Sequence, residues 1–225
     1  MCNRYEPPPA AALQAYFKVN LPGQPYRPFL GPKQDGPFIR NGVAEVGQWG
    51  LIPWFSKTRA PAAKDGRPLM TNNARSETIA TAPTFKDPWK RGQRCLVPAN
   101  SFDEPFWGTG KNIWWRFRRA DGAPWAIAGI WADWTDPETG EMVLSYTMVT
   151  MNADDHPLMR QMHRKDEKRP VEKQDKRSVV PLDPSVWDQW LNGTPDEAMA
   201  ALALPSLDIY AHGPADNKIV APLLF

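Results

Sequence analysis

Cysteine and histidine are scarce in this sequence, with two of the first and three of the second among 225 residues. Cys2 and Cys95 stand 93 positions apart and make neither a disulfide framework nor a zinc-binding set, so a reducing compartment, the cytoplasm, is expected. No metal and no other cofactor is called for. No charged segment leads into an apolar one at the start, so no signal peptide is read, and no apolar run is long enough to cross a bilayer. Neither sign of charge dominates, with 27 Lys and Arg against 25 Asp and Glu. Bases gather at "KRGQR", "RFRR" and "RKDEKRPVEKQDKR", a pattern compatible with a polyanion partner but too mild to establish one. Internal repeats are absent. A soluble, monomeric protein of one domain over residues 1–225 is expected, without membrane contact.

Proline and tryptophan are plentiful instead, at 25 and 11 residues. Proline at this density breaks long helices and favours short strands joined by ordered loops. "AALQAYFKV" (11–19) has helical spacing, "VAEVGQWGLIPWF" reads as a strand entering an aromatic turn, and "NARSETIATAPTF" reads as a helix closed by Pro83. "RCLVPANSFDEPFW" reads as a strand, a turn and a return. "NIWWRFRR", "PWAIAGIWADW" and "LSYTMVTM" are three strand-like runs whose connections have hairpin composition. "HPLMRQMH" suits a helical turn, "DPSVWDQWL" is a short helix opened by an Asp-Pro cap signature, and "PDEAMAALA" is another helix. Residues 164–177 read as a solvated charged loop. The sum is α+β, a mostly antiparallel sheet or barrel with short peripheral helices.

The chain opens "MCNRYEPPP". Removal of Met1 would leave Cys2 with its α-amine and thiol on adjacent carbons. Such a pair captures an aldehyde, the amine forming an imine and the thiol closing a five-membered thiazolidine. An amine of low pKa suits imine chemistry, and an α-amine near ~8 deprotonates far more readily than a lysine near ~10.4. The plainer reading is that a small second residue merely favours methionine removal. Three further segments carry polar residues among apolar or turn-forming neighbours: "TNNARSET" (71–78), "SFDEP" (101–105) and "HPLMRQMHR" (156–164). Taken singly, an Asn or Glu in a turn is a capping residue, and each histidine is open between a structural role and proton transfer.

Taken together, "MC-x-R", "NARSET", "RCLVPANSFDE", a histidine before a basic stretch, and "RSVVPL" resemble the SOS response-associated peptidase-like (SRAP) family, over residues 2–191. "WGLIPWF" resembles that family's "WG-x-x-P-x-W" element. The resemblance implies covalent recognition of abasic sites in single-stranded DNA through Cys2, by a cytoplasmic protein that associates with the nucleoid during repair. It makes Cys2 the source of amine and thiol, with Asn73 orienting the amine or the sugar oxygen. Glu104, nine residues after Cys95, handles protons, and a buried carboxyl in that role has a raised pKa. His163 opens the sugar, with His156 as its competitor. Arg4 and Arg75 contact phosphates, Trp54 and Phe55 wedge against bases, and Thr150 is a lesser contact.

The sequence departs from the family pattern in places. Asn3 stands where glycine is common, "SFDEP" replaces "GW-x-E-W", and "YAHGPADNKIV" only faintly echoes the family's C-terminal motif. Asp103 adjoins Glu104, but neighbours on a strand face opposite ways, so only one enters the site. Two rival readings use the same residues: a cysteine-type peptidase or autopeptidase with an N-terminal nucleophile, and a non-covalent single-strand binder to which Cys2 is incidental.

Overall fold

The computed structural model describes residues 2–215; Met1 and the chain from Asp216 on, including the second half of "YAHGPADNKIV", lie outside them. The strands are β1 (Arg4–Glu6), β2 (Asp35–Arg40), β3 (Val43–Trp49), β4 (Asn73–Arg75), β5 (Arg94–Ala99), β6 (Ser101–Phe106), β7 (Ile113–Arg119), β8 (Trp125–Thr135), β9 (Met142–Asn152), β10 (Arg177–Val179) and β11 (Tyr210–Pro214). The helices are short: α1 (Ala10–Phe17), α2 (Lys86–Lys90), α3 (Trp187–Asn192) and α4 (Pro195–Ala200). The proline-rich composition anticipated that brevity.

Five strands close a barrel. β9, β3, β2, β5 and β8 are bonded in that order, and β8 returns to β9. Every pairing in the ring is antiparallel except β3 with β9. β10 and β4 add to β9 outside the ring. β8 and β9 approach closely at Gly129, where a Cβ would stand 2.8 Å from the Thr147 carbonyl oxygen. A second sheet, β1-β6-β7-β11, is wholly antiparallel. Phe102, Phe117, Trp125 and Tyr146 belong to an apolar cluster that also takes in Cys2. Leu13 of α1, Trp190 of α3 and Ala198 of α4 join barrel residues in another. No helix of the described residues is long and apolar enough to cross a membrane.

The α+β reading with a largely antiparallel barrel therefore holds, but three local expectations do not. Residues 73–85 form no helix: Asn73, Ala74 and Arg75 pair with Met148, Val149 and Thr150 of β9, and turns follow. β5 and β6 are no hairpin, because the Asn100 N–H donates to the Glu6 carbonyl and the chain crosses from the barrel to β1. β7 likewise pairs with β6 and β11 rather than with β8. The β8–β9 hairpin forms as read. Thr194 and Glu197 make a capping box at α4, and Asp183 caps the turn before α3.

β1 has only three residues, and charged side chains fasten it. The buried Asp103 carboxylate accepts from Arg116 Nε at 2.8 Å and Nη2 at 3.0 Å. Arg116 Nη1 reaches Glu6 of β1 at 2.6 Å, and the Ser101 hydroxyl donates to the same carboxylate at 2.8 Å. Removing one partner of a buried pair strands the other. Arg116→Met is expected to lower stability by about 3–5 kcal/mol in urea unfolding, whereas a loss under about 1 kcal/mol would mark the pair as no more than a surface contact.

Candidate active site

Two sheets and one loop converge on the start of the chain. The pairing of Arg4 with Asp103 carries the preceding residues alongside the far end of β6. Cys2 is fully buried there, with its Sγ 3.4 Å from the Arg4 carbonyl oxygen. From the barrel side, Asn73 at the head of β4 donates through Nδ2 to the Cys2 carbonyl at 2.7 Å. Asn72 donates to the same oxygen at 3.0 Å and to Asn3 Oδ1 at 2.9 Å. Trp49 fixes Asn72 in turn, its indole N–H donating to the Asn72 carbonyl at 2.9 Å. The sequence reading missed Asn72. Its signal was the "NN" doublet, in which only the second asparagine was weighed.

Glu104 follows Asp103 on β6 and faces the other way, as alternation requires. Asp103 belongs to the Arg116 network, while Glu104 lies 3.2 Å from His163 Nε2. Met162 bridges to Phe106, and the His163 N–H donates to the Pro105 carbonyl at 2.6 Å, so this segment runs beside the end of β6. Burial pushes the Glu104 carboxyl up to about 7 and the His163 imidazole down to about 3. Both shifts disfavour charge, so near neutrality the imidazole is neutral and the carboxyl is in mid-titration. Burial also pushes the Cys2 thiol up, with Glu104 adding to the effect, and the sulfur is a thiol rather than a thiolate at neutral pH. Asn73 Oδ1 is buried and has no hydrogen-bond partner among the described residues, an acceptor open to a ligand.

His156 is engaged elsewhere. Its Nε2 lies 2.8 Å from the Pro205 carbonyl, and its Nδ1 accepts from the N–H groups of Leu158 and Met159. That pattern fixes its tautomer and leaves it structural. Cys2, Asn73, Glu104 and His163 are therefore the group that the structure brings together.

The residues assigned to DNA sit less uniformly. Trp54 is 71% exposed and Phe55 43%, with their rings edge to face at 5.7 Å. An exposed aromatic pair on a tight turn is not core filler. Arg75 is half-exposed and pairs with Asp175 at 2.8 Å. Arg4 is less available: its guanidinium lies over Trp114 at 4.5 Å and Phe29 at 4.9 Å, with Asp103 at 3.8 Å. Thr150 is wholly buried, and its carbonyl accepts from Arg177 at 2.9 Å, so its side chain is not presented to a partner. Among the described residues no group of three or more His, Cys, Asp or Glu could hold a metal ion.

The profile of the SOS response associated peptidase (SRAP) family matches residues 1–214. The chain is 27% identical over 164 residues to the abasic site processing protein HMCES of Gallus gallus, covering 58% of this chain and 47% of that one. It is 30% identical over 164 residues to the abasic site processing protein YobE of Bacillus subtilis, covering 70% and 64%. It thus spans about half to two thirds of the length of these curated relatives. A solved protein of Bordetella bronchiseptica superposes with a TM-score of 0.83 at 33% identity, covering 95% of this chain and 99% of that one. A second, from Bacteroides thetaiotaomicron, shares the fold at a TM-score of 0.75 and 19% identity. With 214 of its 225 residues matched and the fold in agreement, the chain belongs to the SOS response associated peptidase (SRAP) family.

Proposed function

We propose that this protein senses abasic sites in single-stranded DNA and shields them as a thiazolidine crosslink through Cys2, once Met1 has been removed. One observation carries the reading: two asparagine amides hold the Cys2 carbonyl in a buried position next to a desolvated Glu104–His163 pair. The names of the relatives agree with it. An abasic deoxyribose equilibrates between a closed hemiacetal and an open aldehyde. His163 takes the anomeric hydroxyl proton while the ring oxygen gains one from Glu104, and the aldehyde opens. His163 returns its proton to Glu104 across their 3.2 Å contact. The Cys2 amine then adds to the aldehyde carbon and passes one proton to the oxygen. Glu104 protonates the resulting hydroxyl, which leaves as water, and the second amine proton goes back to Glu104 to give the neutral imine. Sγ then adds to the imine carbon and its proton passes to nitrogen, closing the ring. Asn73 Oδ1 is the acceptor available to a sugar hydroxyl or to the amine. Trp54 and Phe55 suit stacking on bases without regard to sequence, and Arg75 suits a phosphate.

The setting of the sulfur favours this over hydrolysis. A thiolate nucleophile is found beside cations that lower its pKa, whereas burial and Glu104 raise that of Cys2. Met1 removal is maturation in this reading, whether by an aminopeptidase or by the chain itself.

A single-stranded oligonucleotide with one abasic site is expected to give a band that survives denaturation and vanishes with Cys2→Ala. Cys2→Ser is expected to give an adduct trapped only by borohydride. Binding seen only under native conditions would sink the covalent reading, and cleavage of peptides without an adduct would favour the peptidase. The crosslinking rate is expected to fall above about pH 7 as Glu104 ionises and stops protonating the leaving hydroxyl. Glu104→Gln should slow crosslinking by roughly 100-fold or more and abolish that fall; an unaltered rate would remove Glu104 from the mechanism. Arg75→Ala should weaken binding and reduce its salt slope by about one phosphate contact, and an unchanged slope would strike Arg75 from the interface.

A further inference from the structure

His163 has a backbone φ of 62°, in the left-handed region that residues with a side chain rarely enter. Such a conformation persists only where its surroundings over-determine it. The N–H of His163 is anchored on Pro105, but its carbonyl and those on either side of it need a partner too. Lys176 supplies one. Its Nζ donates to the carbonyl oxygens of Met162 at 2.8 Å, His163 at 2.6 Å and Arg164 at 3.4 Å. An ammonium has three N–H donors, and three consecutive residues take them. Lys176 is only 8% exposed, although the run "RKDEKRPVEKQDKR" around it is mostly solvated. Its own backbone is held as well: Asp154 accepts from the N–H groups of Asp175 at 3.0 Å and Lys176 at 2.8 Å. The two ends of the basic loop are thus tied at its base, directly behind the imidazole.

We propose that Lys176 is a positioning residue for His163, gathering the carbonyls of residues 162–164 and so setting the turn that aims the imidazole at Glu104. This rests on the reading of Glu104 and His163 as the proton-transfer pair. The groups that bear on the imidazole include the Glu104 carboxyl, the α-amine at the start of the chain, the Lys176 ammonium and the Arg177 carbonyl, which lies 3.3 Å from Nε2. Without the ammonium the turn relaxes, the ring leaves its desolvated place and behaves as an ordinary histidine.

Lys176→Met keeps an unbranched four-atom stem in place of the lysine's and removes all three donors. In the parent protein the His163 ring, followed by NMR, is expected not to titrate between about pH 5 and 8, where an ordinary histidine does. In folded Lys176→Met it is expected to titrate near the ordinary value. Crosslinking to an abasic oligonucleotide should slow by roughly tenfold or more, while affinity for the same strand without the lesion stays unchanged. A folded Lys176→Met protein whose His163 ring titrates as in the parent overturns the proposal. The ring titration needs no DNA, so its outcome stands apart from that of the crosslinking assay. Lys176→Gln, which keeps one donor pair, provides a second variant. Failure of both variants to fold also overturns the proposal, because the lysine would then serve the fold rather than the imidazole.

Discussion

Asn72 and Asn73 both donate to the carbonyl of Cys2, and neither asparagine is free to turn away. Asn72 is locked by Trp49, and Asn73 begins a strand whose register on β9 is fixed. A chain terminus is ordinarily the least ordered part of a protein, because ordering it costs conformational entropy that few contacts offset. Here the terminus is clasped by amides from the barrel side and by a salt-bridged three-residue strand from the second sheet. The barrel supplies rigid places for the amides. The Asp103–Arg116–Glu6 ladder gives β1 a hold that three residues of backbone pairing would not provide.

The same burial shapes the chemistry. A carboxyl and an imidazole removed from water both favour their neutral forms, so their pKa values move in opposite directions. Separating Asp103 from Glu104 onto opposite faces of one strand gives two adjacent acids different tasks. One is bound by an arginine in the fold, and the other is desolvated, with its carboxyl pushed up to about 7 beside His163. A single strand thus serves both the fold and the site.

Much of this was legible in the sequence because it depends on local pattern. The runs of β8 and β9, the Asp183 cap before α3 and the position of Glu104 in its strand follow from spacing and from side-chain alternation. Family resemblance supplied the grouping of Cys2, Asn73, Glu104 and His163, which no local pattern could have gathered. The illegible parts depend on distant pairing. "NARSETIATAPTF" has the composition of a helix, yet its first three residues are taken by β9, more than seventy positions away. The strand, turn and return read in "RCLVPANSFDEPFW" make no hairpin because Glu6 captures the turn at Asn100. Arg4 looked like a free guanidinium until Trp114 and Phe29 closed on it. Lys176 was hidden by its neighbours, since one inward lysine in a charged run leaves no trace in composition.

A sulfur sealed from solvent and kept protonated has a further property. Peroxide attacks the thiolate, and access governs how fast sulfenic acid forms. Cys2 offers little of either. Burial and a raised pKa therefore make Cys2 a slow target for peroxide.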